Sequence, residues 1–158
     1  MYRTPNPLIK TLLKKELTLA LAESITCGLA AHQLSTCKGT ADVFKGSIVC
    51  YNEEVKRYLF GITQKMIDKH TCESKEVTEA LAKKLSGLIK ADIYAAITGL
   101  ASAGGSETKT KPVGTVFYCI KYGRKIYNER FVFRGTPLEI RKKACDTLYK
   151  MILKKIEL

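Results

Sequence analysis

The sequence predicts an α/β fold: a single-domain α/β/α sandwich with a mixed, mostly parallel central sheet flanked by helices. Three observations predict it. Short apolar runs at Leu17–Ala22, Val43–Tyr51 and Ile93–Thr98 have the length of buried strands, and they alternate with stretches of helical periodicity. Two later runs, Val113–Ile120 and Ile126–Phe133, flank Tyr122-Gly123-Arg124 and read as a hairpin. The 158 residues, 46 % hydrophobic and 27 % charged, suffice for one core without disulfides or metal and argue against a disordered chain.

Each element has its own signal. Asn6–Lys15 places Leu8, Ile9, Leu12 and Leu13 at helical spacing. The first strand ends in the polar turn Glu23–Gly28, and Leu29–Leu34 then reads as a helix. After the second strand, Asn52–Phe60 has a polar start and apolar Val55, Leu59 and Phe60, a further helix. Thr63 caps a short helix over Gln64–Lys69. Ser74–Lys90 carries the clearest apolar stripe, through Val77, Ala80, Leu81, Leu85, Leu88 and Ile89. Gly99 stops the third strand, and Leu100–Lys111 is a loop by composition, long enough to suggest a function. Thr136 caps a final helix with Pro137 at its first position. No repeat, linker or low-complexity tail interrupts this order, so residues 1–158 read as one domain.

No apolar run approaches the length of a membrane span, and the N-terminus lacks a signal-peptide layout, so the expected location is cytoplasmic. The net charge of +12 is the unusual number. It permits nucleic-acid binding, but no run of five basic residues occurs. Nucleic acid is therefore not expected as the primary partner, and part of the charge suits a small anionic substrate. The six cysteines show no C-x-x-C pair and the two histidines stand apart from them, which argues against a zinc site. Cys50, Cys119 and Cys145 lie in apolar patterns and read as buried. No metal and no cofactor is expected, and self-association stays open.

Three polar segments follow the three apolar strands. If those strands are parallel neighbours, Glu23–Thr26, Tyr51–Lys56 and the loop after Thr98-Gly99 meet at one sheet edge, where α/β folds bind ligands. Ser24 beside a desolvated Lys56 makes a workable nucleophile and base. Thr98 and free loop N–H groups suit an oxyanion or a phosphate. Plainer roles stand beside these. Ser24 or Thr26 can cap the next helix, Lys56 can be a solvated helix residue, Tyr51 a half-buried core aromatic, and Gly104-Gly105 a flexible tip.

Together the segments resemble a known family. Ala22-Glu23-Ser24-x-Thr26-x-Gly28, Tyr51-x-x-Glu54-x-Lys56, Thr98-Gly99-x-Ala101, Gly104-Gly105 and Lys111-Pro112-Val113-Gly114-Thr115-Val116 are similar in order and interval to the CinA C-terminal family. The likeness runs from about Leu17 to Ala144, in a stand-alone form. It implies a competence/damage-inducible-type protein that is a nicotinamide-nucleotide amidohydrolase. Such an enzyme turns nicotinamide mononucleotide into nicotinate mononucleotide and ammonia, in pyridine-nucleotide recycling, without a metal. By motif, Ser24 is the attacking serine and Lys56 its base, with Tyr51 and Thr98 beside them. Glu23, Thr26, Gly28, Gly99, Gly104, Gly105, Lys111, Thr115 and Arg141 are the expected substrate-binding positions, with N–H groups near Thr26–Gly28 as oxyanion donors.

The chain departs from the family at named places. Cys27 replaces a glycine, and where that glycine is needed for φ > 0 or for close ligand approach, Cys27 would narrow the pocket. Ala41 replaces a serine, Glu53 a neutral amide, and Pro137 an arginine that Arg134 or Arg141 would have to replace. These changes carry the alternative reading, a non-catalytic nucleotide-binding or regulatory protein on the same fold.

Overall fold

A computed structural model describes residues 5–157. Its elements are α1 (Asn6–Lys15), β1 (Leu19–Glu23), α2 (Leu29–Ser35), α3 (Thr40–Val43), β2 (Phe44–Val49), α4 (Glu53–Phe60), α5 (Gln64–His70), α6 (Lys75–Leu85), β3 (Ile93–Gly99), β4 (Thr115–Tyr122), β5 (Lys125–Val132) and α7 (Pro137–Glu157). The strands form one mixed sheet in the order β2-β1-β3-β4-β5. β1 runs parallel to both β2 and β3, while β4 is antiparallel to β3 and β5. The ladders therefore divide evenly between parallel and antiparallel, and the hairpin supplies the second kind.

β1 shows how the sheet makes two cores. Side chains alternate across a strand. Leu19 and Leu21 face a cluster with Leu8 and Leu12 of α1, Leu34 of α2 and Leu148 of α7. Ala20 and Ala22 face the other cluster, with Val77, Leu81 and Leu85 of α6. That second face is lined by small residues, Ala96 of β3 included, which brings α6 close to the sheet. Helices thus cover both faces.

Caps set the helix starts. Asn52 accepts from the Glu54 N–H, Thr63 from Met66 and Ser74 from Val77. At α7, Thr136 Oγ1 accepts from the Glu139 N–H at 3.3 Å and the Glu139 carboxylate accepts from the Thr136 N–H at 2.7 Å, a reciprocal box.

Several boundaries differ from the sequence expectation. β1 begins at Leu19 because Leu17 bonds back to α1 and Thr18 is clasped by Asp92. α3 was not expected; Gly39, at φ 86°, turns the chain into it. α6 ends at Leu85, five residues early, where Ser86 and Gly87 close a turn. The hairpin strands sit at 115–122 and 125–132. Cys50, Cys119 and Cys145 are buried as expected. Among the described residues no helix is long and apolar enough to cross a membrane.

Candidate active site

The parallel register sets the site. Glu23 at the end of β1 lies level with Val49 of β2 and Ile97 of β3. The chain segments beyond those residues leave one edge of the sheet together. Ser24 N–H still donates to Ile97 O at 3.0 Å, and Cys50 N–H to Glu23 O at 2.8 Å, so the first residue past the ladder is fixed by both neighbours.

The turn after β1 is organised by Glu23. Its carboxylate is fully buried and accepts five hydrogen bonds. They come from Thr26 Oγ1 (2.7 Å), the N–H groups of Gly28 (3.0 Å), Ala30 (3.1 Å) and Ala31 (3.0 Å), and Ser47 Oγ (2.8 Å). A strand glutamate therefore caps α2, whose N-cap residue Gly28 has no cap of its own. Ser24 and Thr26 do not cap that helix. Thr26 is spent on Glu23, and the Ser24 hydroxyl takes no hydrogen bond among the described residues. Ser24 is 5 % exposed, and that surface opens into a cavity of about 250 Å³. Cys27 N–H donates to Ser24 O and Gly28 N–H to Glu23. The amides of Ile25 and Thr26 are the donors of this turn left without an acceptor among the described residues.

The second segment brings Lys56. It is 1 % exposed, not solvated, and its Nζ donates to Cys50 O at 2.7 Å and Tyr51 O at 3.2 Å. No hydrogen bond joins Lys56 to Ser24. Lys56 lines a second cavity, of about 370 Å³, with Glu53, Cys72 and Ser106. Tyr51, Glu73 and Gly105 line both cavities, so the two adjoin. Tyr51 is 58 % exposed, and is therefore no core aromatic. Burial pushes the Cys72 thiol up to about 11 against the opposing pull of Lys56.

The third segment is the loop after β3. Gly99 lines the Ser24 cavity and lets β4 approach, since a Cβ there would sit 2.6 Å from Thr115 O. Gly104 and Gly105 also line that cavity, but their N–H groups are not free. Both donate at 2.8 Å to the Glu107 carboxylate, which is held below the usual carboxylate range by them. Lys111 straps the loop down. Its Nζ donates to Thr71 Oγ1 (2.6 Å), Ser106 Oγ (2.8 Å) and Glu73 O (3.1 Å), and burial pushes its pKa down. The turn it holds is strained. Thr71 sits at φ 66°, ψ 165°, a region nearly confined to glycine.

The structure thus gathers Ser24, Tyr51, Gly99, Gly104, Gly105 and Arg141 on one cavity and sets Lys56 on its neighbour. Arg141 reaches in from the start of α7, with Nε donating to Ile25 O at 2.9 Å. The remaining expected residues stand behind the site. Thr98 is fully buried and pairs with Thr78 at 2.8 Å. Thr78 donates its proton to Ser74 O, so Thr98 is the donor between them. Thr115 is buried on Pro112 O, and Gly28 starts α2 at φ 90°. Cys27, next to it, takes φ 48°, the left-handed conformation that a glycine would hold without strain. Sequence reasoning missed Glu73, the acidic residue common to both cavities. No group of three or more His, Cys, Asp or Glu among the described residues is placed to hold a metal ion.

Known proteins resemble this chain in sequence and in fold. The chain is 40 % identical over 113 residues to a CinA-like protein of Pseudothermotoga lettingae, covering 71 % of this chain and 27 % of that protein. It is 33 % identical over 157 residues to a CinA-like protein of Thermosipho melanesiensis, covering 96 % and 39 %. It therefore spans less than half the length of these relatives. Among solved structures, a CinA superfamily protein of Klebsiella pneumoniae superposes with a TM-score of 0.91 at 24 % identity, over 98 % of this chain and 96 % of that one. One from Escherichia coli superposes at 0.90 and 23 % identity, over 98 % and 89 %. These two likenesses establish the fold. The CinA C-terminal domain itself matches residues 3–156, so the chain belongs to the CinA C-terminal domain family.

Proposed function

We propose that the protein is a metal-free serine amidohydrolase that converts nicotinamide mononucleotide to nicotinate mononucleotide and ammonia. The carrying observation is Ser24. Its hydroxyl is buried, has no protein partner among the described residues, and opens into a cavity that adjoins the buried Lys56 amine. In the neutral amine, two N–H bonds satisfy Cys50 O and Tyr51 O and the lone pair remains for a proton. Ser24 and Lys56 share no hydrogen bond in the unliganded chain, and in this reading that bond forms only in the substrate complex.

The reaction then runs as follows. Ser24 Oγ attacks the carboxamide carbon and its proton passes to Lys56. The Ile25 and Thr26 amides receive the oxyanion. The C–N bond breaks, and Lys56 returns the proton to the departing nitrogen, which leaves as ammonia. Water attacks the acyl-serine and gives its proton to Lys56. That proton goes back to Ser24 Oγ as the acid is released. Arg141, whose Nε alone is used by Ile25 O, faces the same cavity and suits the substrate phosphate. It supplies the charge lost with Pro137. The partner in this reading is a small nucleotide, and the compartment is the cytoplasm.

The test is ammonia release from nicotinamide mononucleotide by purified protein, with EDTA and with Ser24→Ala in parallel. The expected result is EDTA-resistant release, lowered at least about 10³-fold in Ser24→Ala while the circular dichroism spectrum is unchanged. Equal turnover by Ser24→Ala sinks the nucleophile assignment. The second reading is a nucleotide-binding protein without catalysis. It is favoured by the absence of a Ser24–Lys56 bond, and nucleotide binding without ammonia would establish it.

A further inference from the structure

We infer that Glu73, supported by Glu53, is the specificity-determining group of this cleft, and that it selects a ligand whose aromatic ring carries a positive charge. The inference rests on the amidohydrolase reading for the identity of that ring. Glu73 lines both cavities, at their junction with Tyr51. Ser106 Oγ donates to Glu73 Oε2 at 2.5 Å and anchors the carboxylate, while Oε1 takes no hydrogen bond among the described residues. Glu53 enters the Lys56 cavity from the first turn of α4, accepting from Gln64 Nε2 at 3.3 Å and the Cys72 thiol at 3.8 Å.

The site is more than a pair of carboxylates. The unpartnered Ser24 hydroxyl, 5 % exposed, opens into the cavity that Glu73 lines. Arg141 occupies that cavity too, so one cleft presents a cationic group and an anionic one. The nearby lysines are engaged with the protein: Lys56 on two carbonyls, and Lys111 on Thr71, Ser106 and the Glu73 carbonyl. Glu73 and Glu53 are thus two carboxylates set among Arg141, Lys56 and Lys111, and Glu73 is the one that both cavities share.

An N-ribosyl pyridinium carboxamide 5′-phosphate fits both groups. Its phosphate is anionic and its ring cationic, and the exposed Tyr51 adds an aromatic surface at the mouth. The dihydropyridine form of the same nucleotide keeps the phosphate, ribose and carboxamide but has a neutral ring. A carboxylate a few ångströms from the ring separates the two by charge alone.

The experiment is titration calorimetry on the full Ser24→Ala chain, which binds without turnover, using nicotinamide mononucleotide and its dihydro form. The oxidised form is expected to bind about tenfold more tightly. Glu73→Gln, which keeps an acceptor for Ser106, removes most of that preference and leaves the affinity for the dihydro form unchanged. Glu53→Gln reduces the preference in the same direction, and tests the charge independently if Glu73→Gln does not fold. Equal affinities for the two forms overturn the inference. So does a preference that survives both substitutions, or no saturable binding by either form. Cation preference without ammonia release by the native protein overturns the amidohydrolase reading alone. Ammonia release with no preference overturns this inference alone.

Discussion

Cys27 occupies left-handed backbone at φ 48°, a conformation that costs a residue with a Cβ about 1–2 kcal/mol. Its thiol is exposed, and the strain is offset by no hydrogen bond from its side chain among the described residues. Glycine removes the strain but gives back unfolded-state entropy worth about 0.4–1 kcal/mol. Cys27→Gly is therefore expected to stabilise the protein by about 0.5–1 kcal/mol, read as a shifted urea midpoint at constant m-value. A lower midpoint would show that the thiol contributes something the backbone strain conceals. This position was legible only through the family resemblance, where a cysteine standing for a glycine raises the question of φ. Glu23 was legible only as a polar residue at the right edge. Its five bonds come from residues up to 24 positions away, and no spacing rule announces a strand carboxylate that caps a following helix. The same fact explains Ser24: with Glu23 at the helix start, the serine is released from the capping role that local pattern favoured.

At the scale of elements, capping was readable and its full form was not. Thr136 was an evident cap, but Thr136-x-x-Glu139 is also the signature of the reciprocal box that the structure shows. The Thr136 N–H and hydroxyl hold the Glu139 carboxyl below the usual carboxylate range. A carboxyl with a lowered folded value contributes stability above its unfolded value of about 4.3 and loses it as pH falls through the lowered one. The difference in Tm between wild type and Glu139→Gln is thus expected to be present at pH 6 and to vanish toward pH 3. A difference that persists at pH 3 would assign the effect to something other than the ionised cap. The position of Glu73 also had an element-level signal. A helix that leads into a parallel strand must begin at the edge where that strand ends. The start of α6, and with it the turn that precedes Ser74, belongs beside Ser24 for that reason. α6 stops short of Lys90 because Gly87 breaks the stripe, a local residue outweighing an apolar pattern.

On the scale of the whole molecule, the candidate site lies where two cavities adjoin at the end of three parallel strands, and both outer faces of the sheet are left to the cores. The convergence of the polar segments followed from strand order. The division of labour among them, with Glu23, Thr98 and Thr115 facing inward and Ser24, Tyr51 and Arg141 facing the cleft, needed the packed structure. A ligand held by both ends of that cleft binds only the folded chain. At 100 times its Kd it adds about 2.7 kcal/mol, which for a chain of this size is a rise in Tm of roughly 5–10 °C. Nicotinamide mononucleotide is expected to give that rise in wild type and in Ser24→Ala alike, and a rise confined to wild type would tie binding to turnover. The equality follows from how Ser24 is held. Its main chain is anchored on both sides, yet its hydroxyl bonds to nothing among the described residues. On the proposed mechanism, one oxygen atom separates a catalyst from a receptor of the same shape. Descent within such a lineage can discard the reaction in a single mutational step and still transmit an intact protein, a sensor inheriting the enzyme's binding cleft.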